Sequence, residues 1–99
     1  MRASSVKQCL SGDVPAGTRV AVEGWIRTRR DSKAGFSFLT VSDGSSFDAI
    51  QVVAPGELPN YQEDVLRLTT GCSVRCEGEL VESRGRGQAF EIKADTVHV

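Results

Sequence analysis

Ninety-nine residues suffice for one domain with a single modest core, and 39% hydrophobic with 25% charged residues is an ordinary globular composition. A formal net charge of −1 argues against an indiscriminate nucleic-acid binder, although it leaves room for a local basic patch. No apolar run approaches the roughly 20 residues that span a membrane, and the N-terminus shows no signal-peptide apolar region, so a cytoplasmic setting is expected.

Residues 1–17 read as an extension holding one short helical turn. Ser5 is placed to cap it, Val6, Cys9 and Leu10 share a face, and Gly12 stops it. Residues 18–99 then form the main domain, and from Arg19 the hydrophobic period becomes two. Val20, Val22, Gly24 and Ile26 point one way, and a glycine inside so long a strand predicts a bend or bulge. "FSFLTVSD" puts Leu39 and Val41 on one face and Phe36, Phe38 and Thr40 on the other. "DGSS" reads as a turn, and in "DAIQVV" Ile50 and Val52 face inward while Gln51 faces out. A helix is predicted next, with Asn60 as its cap, Glu63 completing a capping box, Tyr61, Val65 and Leu68 as its buried stripe, and Gly71 ending it. The fourth strand alternates through Val74, Cys76, Gly78 and Leu80. "SRGRGQ" reads as a basic loop, and the fifth strand alternates through Phe90, Ile92 and Ala94 with Glu91 outside.

Three strands, a helix and two more strands form the layout of an all-β, five-stranded OB-fold barrel, whose second and third strands make the usual nucleic-acid face. The basic residues support that use. Arg27, Arg29, Arg30 and Lys33 fall within seven positions, so a near-neutral total conceals a positive track. With Arg84 and Arg86 of the loop, these arginines are the expected phosphate contacts. Phe38 faces outward because Leu39 and Val41 take the inward phase, and an exposed ring there is a stacking platform for a base. Gln51 shares that face, and its amide sets a donor beside an acceptor, matching the carbonyl and ring N–H of uracil. Glu91 is either a solubilising charge beside Lys93 or an acceptor for the adjacent donors of guanine. Stacking combined with base-edge hydrogen bonds is how single-stranded RNA loops are read.

The cysteines suggest no other chemistry. Cys72 and Cys76, four apart on a strand, would have Cα atoms about 13 Å apart, whereas a disulfide needs roughly 4.4–6.8 Å. Neither Cys9 nor the lone His98 adds the second clustered pair that a metal site wants, so no metal is expected.

"VEGWIRTRRDSKAGFSFLTVSDGSSFDAIQVV" resembles the N-terminal anticodon-binding domain of the class II synthetases for aspartate, asparagine and lysine. "LPNYQEDVLRLTTGCSV" narrows the resemblance to the bacterial-type asparaginyl-tRNA synthetases, and it extends from about Val14 to Val99. It implies a tRNA partner, tRNA(Asn), gripped at its anticodon. Phe38 corresponds to the ring that stacks on the middle base, uracil, Gln51 to the amide that reads it, and Arg30 to an arginine that helps hold it. Glu91 corresponds to the carboxylate associated with the first base. The resemblance also implies that ATP and magnesium, and the homodimer contacts, belong to a catalytic domain outside these residues, so that this stretch alone is not an enzyme. Two other readings remain open: a free-standing OB-fold protein that binds tRNA or single-stranded nucleic acid in trans, and a protein–protein interaction barrel.

Overall fold

The computed structural model describes residues 3–83 and 90–99. A short helix, α1 (Val6–Ser11), precedes strands β1 (Arg19–Asp31), β2 (Phe36–Ser42), β3 (Ile50–Pro55), β4 (Ser73–Glu82) and β5 (Phe90–His98). The strands close into a barrel in the order β1-β2-β3-β5-β4. All neighbouring pairs are antiparallel except β3 and β5, which run parallel. This is the OB-fold expected from the strand spacing, and closure gives each of the five described strands a partner on both sides.

Every strand turns apolar residues into the core. Val20, Val22, Ile26, Leu39, Val41, Ile50, Val52, Val74, Cys76, Leu80 and Ile92 fill the interior. The three cysteines are free thiols, and burial pushes the Cys76 thiol up to about 12, so it remains a protonated core side chain. Helix α1 begins as predicted, with Ser5 accepting from the Gln8 N–H and the Gln8 side chain accepting in return from the Ser5 N–H. Gly12 ends it in the left-handed region, at φ 88°. Val6 and Cys9 are fully buried in the barrel core. Asp43, in the β2–β3 turn, accepts from the Val6 N–H and so fastens α1 to the barrel.

Two expectations are corrected. The irregularity of β1 lies at Arg27 and not at Gly24: Ile26 pairs with Val41 and Thr28 with Thr40, leaving Arg27 as the extra residue of a bulge. Gly24 serves close packing instead, since a Cβ there would stand 2.1 Å from the Ser42 carbonyl oxygen. Gly78 meets the same constraint, with a Cβ falling 2.0 Å from the Lys93 oxygen beside a second bulge, which displaces Asp95.

The segment predicted as a helix between β3 and β4 contains only a single 3-10 turn, Val65–Arg67, with no side-chain cap. The Asn60 amide is spent elsewhere, donating to the Val97 carbonyl at 2.7 Å and to Asp64 at 2.9 Å. Around it the N–H groups of Asp64 and Val65 share the Asn60 carbonyl, Leu66 reaches back five residues and Arg67 three, so no regular α-helical ladder forms. The inward stripe holds all the same, with Tyr61, Val65 and Leu68 buried. Tyr61 also closes a polar chain: its hydroxyl lies 2.8 Å from that of fully buried Ser37, which donates to Asp31 at 2.7 Å.

Two outcomes follow. Gly24→Ala requires the β1 or β2 backbone to move, and is expected to cost about 1–3 kcal/mol, lowering the thermal midpoint by roughly 4–8 °C per kcal/mol. An unchanged midpoint would contradict the close approach. The second outcome concerns acid. Burial opposes the Asp43 charge, but bonds from the Ser45 hydroxyl and from the backbone N–H groups of Val6 and Ser45 outweigh it and hold the carboxyl below its ordinary value. A depressed folded-state pKa contributes stability that is complete above the unfolded value of about 3.9 and is lost as pH falls further. The gap in thermal midpoint between wild type and Asp43→Asn should therefore shrink from pH 7 to pH 3. A constant gap would show that the charge is not what fastens α1.

Candidate nucleic-acid interface

The bulge at Arg27 determines which arginine faces outward. Paired residues in an antiparallel ladder point to the same side, so beyond the bulge Thr28 joins outward Thr40, Arg30 joins outward Phe38, and Arg29 joins inward Leu39. Thr28, Arg30, Phe38, Thr40 and Gln51 line one open cavity of about 260 Å³ on the outer face of β1–β3.

Phe38 is half-buried and stands on the outer face, as predicted from its phase. The Arg30 guanidinium lies over its ring, 4.8 Å from the centroid, a cation–π arrangement. The Phe36 ring meets it edge-on, at 5.1 Å between centroids and 77° between planes. The two threonine hydroxyls are hydrogen-bonded at 2.7 Å, and Thr40 also accepts from the Thr28 N–H at 3.0 Å, which ties the cavity floor across the bulge. Gln51 rises from β3 and donates through Nε2 to Glu91 Oε1 at 3.3 Å, across the parallel β3–β5 pair. The ring, the guanidinium, the amide and the carboxylate are thus brought to one face, offering a π-surface, a cation, a mixed donor–acceptor and an acceptor.

The remaining arginines of the expected track lie elsewhere. Arg27 leaves the bulge to donate to the Phe47 carbonyl at 2.9 Å. Arg29 donates to the Val65 and Leu66 carbonyls and pairs with Asp31 at 3.5 Å, so it closes the end of the 3-10 turn. Neither lines the cavity around Phe38. Arg84 and Arg86 fall outside the described residues. Thr28 was not singled out from the sequence, because uninterrupted alternation from Ile26 would have turned it inward. Thr40 was placed on the outer face without a role, which its bond to Thr28 now supplies.

A closed five-stranded barrel with aromatic, basic and amide side chains on the outer face of its second and third strands defines an OB-fold ligand-binding module. The chain belongs to the tRNA anti-codon family of OB-fold nucleic acid binding domains, whose model matches residues 20–99. It is 62% identical over all 99 residues to an asparagine–tRNA ligase of Myxococcus xanthus and spans 21% of that relative's length. The asparagine–tRNA ligase of Colwellia psychrerythraea is 59% identical with the same coverage. Among solved structures, the asparaginyl-tRNA synthetase of Pyrococcus horikoshii complexed with asparaginyl-adenylate superposes with a TM-score of 0.78 at 22% identity, over 100% of this chain and 22% of that one, a likeness of fold.

The division among the arginines is directly measurable. Arg29→Ala removes the charge-assisted bonds to the Val65 and Leu66 carbonyls, of which Val65 keeps the Leu68 N–H, and should cost about 1–3 kcal/mol of stability. Arg30→Ala removes one exposed cation–π contact and should cost at most about 0.5–1 kcal/mol of stability, while weakening RNA binding. Equal effects of the two on the thermal midpoint would contradict the assignment.

Proposed function

We propose that the chain is the anticodon-binding domain of an asparaginyl-tRNA synthetase and reads the anticodon of tRNA(Asn). The grouping of Phe38, Arg30 and Gln51 around one cavity carries this reading, and kinship with asparagine–tRNA ligases supports it. A splayed base stacks on the Phe38–Arg30 pair, cation and π-face together. Gln51 then reads that base from the side. Its amide oxygen accepts from a uracil ring N–H while its nitrogen donates to a uracil carbonyl, and the bond from Nε2 to Glu91 keeps the amide from turning over to suit cytosine, which presents an unprotonated ring nitrogen beside an amino group. Glu91, within hydrogen-bonding distance of Gln51, accepts from the ring N–H and amino group of a guanine in the first position. Activation of asparagine, with ATP and magnesium, belongs in this proposal to the remainder of the ligase.

The test is a titration with anticodon stem-loops that differ by one base, at a single salt concentration because phosphate contacts make affinity salt-dependent. Wild type should prefer uracil over cytosine in the middle position. Phe38→Ala should weaken binding to every loop by about 1–3 kcal/mol, the value of one stacked base, with the barrel still folded. Gln51→Met should retain binding but lose the preference. An unchanged preference in Gln51→Met, or a collapse of thermal stability in Phe38→Ala, would overturn these roles.

A further inference from the structure

One polar rung crosses four strands of the barrel. Thr28 of β1 pairs with Thr40 of β2, Thr40 with Gln51 of β3, and Gln51 with Glu91 of β5. The two threonines open on the same cavity as Phe38, Arg30 and Gln51, yet the stacking and amide contacts use neither. Thr40 Oγ1 carries two lone pairs and one hydrogen. It accepts from the Thr28 N–H at 3.0 Å, and the Thr28 hydroxyl lies 2.7 Å away. That second contact consumes one of the two hydroxyl hydrogens. The other has no acceptor among the described residues.

We propose that the Thr40 hydroxyl donates to the second carbonyl of the uracil that Gln51 reads, and that Thr28 orients it for this. The inference rests on the RNA-binding reading above and adds a specificity-determining residue to it. The order of groups along the rung selects this contact. A uracil edge presents a carbonyl, a ring N–H and a second carbonyl, so it calls for a donor, an acceptor and a donor. Gln51 supplies the first two. Its Nε2 is turned to Glu91 at 3.3 Å, which holds its oxygen away from β5. A base lying along the rung in that sense sets its far carbonyl over β2, one strand spacing or about 4.8 Å on. Thr40 stands there. When the Thr28 hydroxyl gives its hydrogen to Thr40, both Thr40 lone pairs are engaged and Thr40 can only donate. A carbonyl suits that arrangement, and an amino group does not.

The experiment titrates anticodon stem-loops whose middle base is uracil, 2-thiouracil or 4-thiouracil. Each thio base keeps the ring N–H and replaces one carbonyl oxygen with sulfur, a poorer acceptor. The proteins are wild type, Thr40→Val, Thr40→Ser, Gln51→Met and Phe38→Ala. Thr40→Val should bind the uracil loop roughly 2- to 12-fold more weakly, the effect of one neutral hydrogen bond. Thr40→Ser keeps a hydroxyl and should bind like wild type. In wild type each sulfur should weaken binding. Thr40→Val should abolish the penalty of one sulfur only, and Gln51→Met the penalty of the other. Each penalty compares two loops on one folded protein, so a loss of stability in a variant does not imitate the result. If neither penalty changes in Thr40→Val, or if Thr40→Ser binds as poorly as Thr40→Val, the hydroxyl is not a base contact and the RNA reading stands without it. If Phe38→Ala and Gln51→Met also leave every affinity unchanged, the RNA reading itself fails, and the threonine contact with it.

Discussion

One extra residue in β1 organises the outer face around Phe38. With Arg27 bulged out, the strand changes phase between Ile26 and Thr28, so the half that begins by burying Val20 and Val22 ends by presenting Thr28 and Arg30 to solvent. The bulge is held by the entry to β4: the Ile26 N–H donates to the Cys72 carbonyl, the Gly71 N–H to the Ile26 carbonyl, and the Thr70 hydroxyl to the Arg27 carbonyl. These bonds satisfy the backbone groups that a bulge takes out of the ladder. Without that phase change, Arg30 would lie on the inner side of the sheet and Phe38 would lose its cation.

The same geometry assigns three neighbouring arginines to three tasks. Arg27 holds the β2–β3 turn through the Phe47 carbonyl, Arg29 closes the turn ahead of β4, and Arg30 faces the Phe38 ring. Arg29 is also bound to the polar chain of Asp31, Ser37 and Tyr61, which links the ends of β1 and β2 to the segment crossing the barrel. Phe38 therefore follows directly on a hydrogen-bonded residue, Ser37, and it stands on a strand instead of a loop. A rigid base for the ring lowers the entropy cost of ordering it when a ligand arrives.

Much of this was legible in the sequence, for physical reasons that differ by element. Strand phases were readable wherever apolar residues alternate without interruption, so Phe38, Gln51 and Glu91 were placed correctly from Leu39 and Val41, Ile50 and Val52, and Ile92. Helix α1 was readable because its cap, buried face and terminating glycine all agree. The bulge was not, since Arg27 carries no composition signal and Gly24, the obvious candidate, is required by contact with Ser42 instead. The segment after β3 misled for a related reason: Asn60 and Glu63 have the spacing of a capping box, but Asn60 is drawn to the Val97 carbonyl of β5, a long-range partner that no local pattern reveals. Tertiary hydrogen bonding overrode local preference at both places.

The central claim is that the outer face of β1–β3 around Phe38, and not the exposed side chains of Trp25 and Phe47, contacts RNA bases. Chemical-shift perturbation in the protein's NMR spectra on adding an anticodon stem-loop tests it most directly. The account predicts that the largest changes fall on the backbone amides of Thr28, Arg30, Phe38 and Thr40 and on the side-chain amide of Gln51, with those around Trp25 and Phe47 nearly unmoved. Shifts concentrated on Trp25, Phe47 and the β2–β3 turn, with the Phe38 face silent, would contradict it.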